Sequence, residues 1–360
     1  MIYVPVNKRE NEMFGLYRTT LAVMVMVHHL FLGFLPLGTY PVFGFYIISG
    51  YLMTLIMHET YGYTSSGRFS FAINRILRLY PQYLAAALIS IILILILGPE
   101  FVKKFHGSMF MPSSTKEALF NFLILFHPTI EGSMNPRLVP PTWALTIEIF
   151  FYILICIGIS KNIYRIYTWI FVSIIYVFYS FIVGWPWQTR YFTIAAASLP
   201  FSIGSAIYFI SKNTFFTQIY YSIKIQPIFL FLLMLLNVSF WSYIKRNYTG
   251  YWIETGFYLN LIICSLIVYS LSIGEKIFNI NKYIDKIIGN YSYPIYILHW
   301  QCGLIVSFLM LQQSNFNKYR QEGLFIFILS VIFVLFFSFL FIRYIDEPIQ
   351  HIRIKIKKQI

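Results

Sequence analysis

Charge is scarce in this chain. Asp, Glu, Lys and Arg make up 11% of its 360 residues, and only 13 of those are acidic. With 58% hydrophobic residues and a mean hydropathy of +0.69, too little polar surface remains to cover a soluble globule of this size. Cysteine is scarcer still. Cys156, Cys264 and Cys302 each fall inside an apolar run with no CxxC spacing, which points away from a disulfide framework and from zinc, and no metal is expected. There is no long Gly/Ser/Pro linker and no internal repeat. The net charge of +14 comes from Lys and Arg scattered between apolar runs, not gathered into a basic domain, so nucleic acid is not expected as a partner. A small-residue cleavage site is also missing after Lys8 and Arg9. The apolar stretch that follows carries Arg18, His28 and His29 and reads as a retained first span, not a signal peptide.

What the chain does have is long apolar runs. Taken as membrane-crossing helices, they place spans near 16-35, 41-57, 79-98, 143-159, 166-184, 191-210, 226-242, 252-272, 291-311 and 324-345. The expected fold is all-α: a polytopic membrane helical bundle of about ten transmembrane helices, forming one domain over 1-360 without a soluble appendage. The run near 118-130 contains Asn121 and His127, is too short to cross comfortably, and reads as a re-entrant segment. Ten spans with a cytoplasmic N-terminus put twice as many of the 27 Lys and Arg residues inside as outside. An eleventh crossing at 118-130 reverses everything after it and strands the basic tail from Arg353 to Lys358 outside. Both termini are therefore expected in the cytoplasm, with membrane lipids around the bundle.

Within the first span, Arg18 and His29 interrupt an otherwise apolar run. Eleven helical steps of about 100° bring them onto one face, about 16 Å apart along the axis, so one cavity is expected to receive both. Ionisable groups in hydrocarbon cost free energy unless they line a protein interior or a wet cavity, which marks such positions as functional candidates.

Other polar groups interrupt apolar runs without ending them. Ser49 and Gly50 lie in the second span, where small residues also permit close helix approach. Arg75 and Arg78 share a helical face near the start of the third, as topology anchors or as a guanidinium pair suited to phosphates. Glu148 follows Trp143 at the start of the fourth. It can snorkel to the interface or orient an imidazole. Ser292, Tyr293 and His299 open the ninth. Trp185, Trp187 and Tyr191 suit an interfacial belt, and also the stacking of sugar faces.

Taken together and in order, these clusters resemble the acyltransferase-3 family of membrane acyltransferases, which includes O-antigen O-acetyltransferases. The resemblance rests on Arg18 and His29, the Phe45 to Tyr51 patch, Arg75/Arg78/Pro81, Trp143 through Glu148 with Phe151-Tyr152, Ser292-Tyr293 through His299, and the closing Glu347-Pro348. It implies ten core helices in a bacterial inner membrane. It also implies transfer of an acyl group, usually acetyl from cytosolic acetyl-CoA, to a hydroxyl of an envelope glycan or lipid-linked glycan such as lipopolysaccharide O-antigen. Arg18 and His29 are essential positions on that reading. Many relatives carry a further extracytoplasmic domain, and none is expected before Ile360.

Acyl transfer from a thioester needs a base for the attacking hydroxyl and positive or hydrogen-bonding groups for the oxyanion. His29 is the candidate base, with Glu148 or His299 as the group that holds its tautomer. His28 sits about 100° around the helix and is passed over. Arg18 is assigned to gripping the donor's pantetheine or phosphate end or to steadying the thioester, and Arg75 and Arg78 to CoA phosphates. Ser49, Trp143, Tyr293 and His299 are supporting residues. The alternative, a carbohydrate or lipid-linked sugar transporter, calls for two pseudo-symmetric halves with broken helices, which the sequence does not display. A structural scaffold leaves four spans with interior polar residues unexplained.

Overall fold

The structure is a computed structural model that describes residues 13–313 and 321–358; Lys8 and Arg9 lie outside the described residues. Sixteen α-helices and no strand occur among the described residues. In chain order they are α1 (Gly15–Leu30), α2 (Tyr40–Ile56), α3 (Ser65–Leu97), α4 (Pro99–Phe105), α5 (Thr115–Leu123), α6 (Trp143–Ile157), α7 (Ile163–Ile182), α8 (Trp187–Tyr191), α9 (Ile194–Ile210), α10 (Thr214–Ile223), α11 (Pro227–Asn247), α12 (Thr255–Ser272), α13 (Lys282–Asn290), α14 (Ser292–Leu311), α15 (Gln321–Phe341) and α16 (Glu347–Lys358). The starts are set locally by side chains that accept an otherwise orphaned N–H. Thr64 takes that of Gly67, Asn162 that of Arg165, Thr193 that of Ala196 and Asn281 that of Ile284. Gly158, at φ +108°, ends α6 in a left-handed turn that a residue with a Cβ adopts only with strain.

Among the described residues, nine helical segments are long and apolar enough to cross a membrane, giving an all-α polytopic bundle. Their outer faces are apolar: Leu95, Ile96, Phe171, Ile182, Phe229 and Phe336 are each more than half exposed. Such a belt suits hydrocarbon and not water.

The tenth expected span, 16-35, is shorter than its apolar run. Helix α1 stops at Leu30, where Gly33 and Pro36 turn the chain, so its 16 residues rise only about 24 Å. The third span is longer than expected: α3 starts at Ser65, well before the apolar run at 79-98, and its inner face buries Asn74 and Gln82. Near 118-130 the chain forms the nine-residue α5 and turns at the left-handed Ile124. Asn121 ties that turn to the returning segment by donating to Pro136 O and accepting from Leu138 N. A rise of about 13 Å falls well short of a bilayer crossing.

Helices α2 and α14 are central, and α7, α11 and α15 are peripheral. The tightest crossing is α2 on α9. A Cβ on Gly50 would lie 2.2 Å from Phe201 O, and one on Gly204 2.1 Å from Ile47 O. Thr54 Oγ1 donates to Ser205 Oγ at 2.9 Å in the same contact. Small residues let backbones approach where lipid tails offer no hydrophobic drive for association. Helix α1 packs on α13 and α14 in the same manner, and that contact positions the site.

Candidate active site

The start of α1 is gripped by α13. Asp285 accepts from Gly15 N and Leu16 N, both at 2.8 Å, and Thr19 Oγ1 donates to Ile288 O at 2.7 Å. A carboxylate there satisfies two orphaned N–H groups and complements the helix dipole. A Cβ on Gly289 would lie 2.6 Å from Gly15 Cα and 3.1 Å from Arg18 Nη2, so two glycines allow the approach that lodges the Arg18 guanidinium against α13.

Arg18 lines a chamber together with Ser49, Arg75, Arg78, Glu148 and Tyr293. Both Glu148 oxygens are engaged: Ser49 Oγ donates to Oε1 and Tyr152 Oη to Oε2, each at 3.0 Å. Arg78 Nη1 pairs with Asp346 at 2.8 Å, and Gln82 Nε2 donates to the same oxygen. Arg75 donates to Asn74 Oδ1 at 3.4 Å and contacts Met53 Sδ, while Tyr293 Oη donates to Leu79 O. Arg18 Nε is buried without a hydrogen-bond partner. Three guanidiniums line the chamber against one lining carboxylate, Glu148, while Asp346 pairs with Arg78 and Asp285 reaches Arg18 from α13, so the chamber keeps unspent donors. That chemistry suits phosphate and carbonyl oxygens.

A second cavity adjoins the first. It is lined by His28, His29, His106, Arg137, Trp143 and Trp300 among others, and it shares Val42 and Tyr296 with the chamber. Tyr296 is fixed there by donating to Pro141 O at 3.0 Å. His29 Nδ1 lies 2.8 Å from Nε2 of the fully buried His299, with the rings 5.0 Å apart and nearly parallel. His299 Nδ1 in turn faces the Ile295 carbonyl at 3.2 Å. A carbonyl only accepts, so His299 Nδ1 donates, and in the neutral ring its Nε2 accepts from His29 Nδ1–H. The unprotonated nitrogen of His29 is then Nε2.

Arg137, in the segment before α6, is held by Met134 O, Pro140 O and Ser108 Oγ. Burial pulls its guanidinium down to about 10, so it keeps its charge beside the cavity at neutral pH. No group of three or more His, Cys, Asp or Glu side chains placed to hold a metal ion together occurs among the described residues.

Most sequence-derived candidates thus fall on two sides of one boundary. Arg18, Ser49, Arg75, Arg78, Glu148 and Tyr293 line the chamber, His29 and Trp143 line the second cavity, and His299 backs His29. Arg18 and His29, expected in one cavity, line two adjoining cavities that share Val42 and Tyr296. Of the two groups proposed to hold the imidazole, His299 bonds to it, whereas Glu148 is committed to Ser49 and Tyr152. Sequence reasoning missed His106 and Arg137 and set His28 aside. His106 packs 4.2 Å from the Trp300 ring centre, and His28 is fixed by Leu35 O at 2.7 Å. A histidine and an arginine on one long polar loop were the only signal for two of them.

No curated protein and no solved structure matches this chain at a significant level. The acyltransferase domain of one family does match, across residues 14–343, which takes in both cavities and every helix from α1 to α15. The chain belongs to the acyltransferase-3 family and is a membrane acyltransferase.

Proposed function

We propose that the protein moves an acyl group, acetyl in the simplest case, from cytosolic acyl-CoA to a hydroxyl of a cell-envelope glycan or lipid-linked glycan. The reading sets the protein in a bacterial inner membrane with both termini cytoplasmic. One observation carries it: a guanidinium-lined chamber and a histidine-lined cavity abut at Val42 and Tyr296. On this reading Arg75 and Arg78 take the donor's diphosphate, Arg18 steadies the pantetheine arm, and the thioester reaches His29. The distance of about 16 Å between Arg18 and His29 along α1 calls for an extended arm.

The acceptor hydroxyl enters the second cavity. Its oxygen attacks the thioester carbon while His29 Nε2 takes its proton, and His299 holds the opposite nitrogen. The positive charge of Arg137 favours the oxyanion that forms. The C–S bond then breaks, and the thiolate leaves with the proton returned from the imidazolium. Glu148 has a positioning role in the chamber, ordering Ser49 and Tyr152 and tempering the charge of three arginines.

The test is purified protein in nanodiscs given labelled acetyl-CoA and glycan from a strain lacking the gene. Label in the glycan, lost with His29→Ala at equal protein level, supports the reading. Glycan that stays unlabelled with the wild type overturns it.

A further inference from the structure

Helix α16 lies beyond the stretch matched by the family, yet it is wired to the chamber. The fully buried Asn74 of α3 joins them. Its Nδ2 donates to the Arg353 carbonyl at 3.1 Å, and its Oδ1 accepts from Arg353 Nε at 2.9 Å and from Arg75 Nη2 at 3.4 Å. One amide oxygen therefore holds two guanidiniums side by side.

That arrangement is costly alone, because like charges repel in a low-dielectric setting. The groups within electrostatic reach of Arg353 are Arg78, Arg75, Asp346 and Tyr61, and the only carboxylate among them is paired with Arg78. Lys357, one turn on and within reach of both Arg75 and Arg353, adds a third cation. Arg75 and Tyr61 are buried there within reach of each other. Clustered cations that outnumber the carboxylates around them describe an anion site.

The geometry points to a phosphate-monoester subsite at Arg353 and Lys357 that receives the ribose 3′-phosphate of the CoA donor. This rests on the proposed donor reading and extends it outward. Along CoA the thioester is followed by the diphosphate and then the 3′-phosphate. Along the protein His29 is followed by Arg75 and Arg78 and then Arg353. An anionic lipid headgroup offers similar chemistry, but the link through Asn74 to a residue lining the chamber favours the donor.

The test is equilibrium binding of CoA and of 3′-dephospho-CoA to the full chain in phosphatidylcholine nanodiscs. Wild type is expected to bind CoA about tenfold more tightly than the dephospho form. Arg353→Ala should weaken CoA about tenfold, leave 3′-dephospho-CoA unchanged, and so erase the discrimination, while Arg353→Lys restores most of it. Should Arg353→Ala fail to fold, Lys357→Glu on the exposed face carries the same comparison. Equal loss for both ligands would mean a merely structural tether and overturn the assignment. So would wild type binding both equally, or an Arg353-dependent preference for phosphatidylglycerol without CoA discrimination. Wild type binding neither ligand would instead bring down the donor reading itself, and this subsite with it.

Discussion

His29 Nδ1 and His299 Nε2 meet at 2.8 Å across the α1–α14 contact, and Gly303 makes that contact close enough: a Cβ there would lie 2.6 Å from a Leu30 methyl. The pair fixes which nitrogen of His29 faces the cavity. His29→Ala should lower kcat by on the order of a thousandfold, within the range for losing a general base. His299→Ala should cost on the order of tenfold to a hundredfold, as for partners that orient metal-bound histidines. His299→Gln, which keeps an acceptor for Nδ1–H, should recover part of the loss and shift the pH–rate profile. Steady-state transfer assays read all three.

Arg75 and Arg78 should separate in their effects. Arg75 has only weak partners, so Arg75→Ala should raise KM for acetyl-CoA about tenfold, equivalent to about 1.4 kcal/mol, with little change in kcat or stability. Arg78→Ala leaves Asp346 buried with Gln82 alone, and breaking such a pair costs about 3–5 kcal/mol. Its thermal midpoint in detergent should therefore fall, and Arg78→Ala/Asp346→Asn should recover much of it.

Tyr296 and Val42 lie where the two cavities join, so they should limit the size of the acyl group. Tyr296→Ala is expected to raise the rate with butyryl-CoA relative to acetyl-CoA by about tenfold or more, since methylene-sized fits discriminate by about 1–3 kcal/mol. Tyr296→Phe loses the bond to Pro141 O, worth about 1 kcal/mol, and should keep the wild-type acyl preference. Competition between the two donors measures both.

The α2–α9 crossing should not tolerate an added methyl. Gly204→Ala places a Cβ 2.1 Å from a backbone oxygen, and overpacking of this kind costs about 1–3 kcal/mol. The thermal midpoint in detergent should drop by several degrees. Ser211→Ala, at the end of α9 and away from that crossing, serves as the comparison.

Sequence alone carried the class of fold well, because runs of apolar residues report span number almost directly. It carried less where polar residues sit inside: the apolar run set the third span from residue 79, whereas α3 begins at Ser65 and its more polar first half turns Asn74 inward to Arg353 on α16. The site was legible as a residue set and not as an arrangement. Helical periodicity puts Arg18 and His29 on one face, but it contains nothing about Tyr296, which arrives from a helix some 270 residues further on. The same limit explains the choice left open between Glu148 and His299. Both are interior polar residues on spans, and only the packing of α1 on α14 shows which one reaches the imidazole.

The most direct measurement is transfer of labelled acetyl from acetyl-CoA to isolated glycan by the reconstituted wild type, His29→Ala and Arg75→Ala proteins at saturating donor. The account predicts labelled glycan from wild type, close to the wild-type rate from Arg75→Ala once donor is saturating, and none above background from His29→Ala. Undiminished labelling by His29→Ala would contradict it.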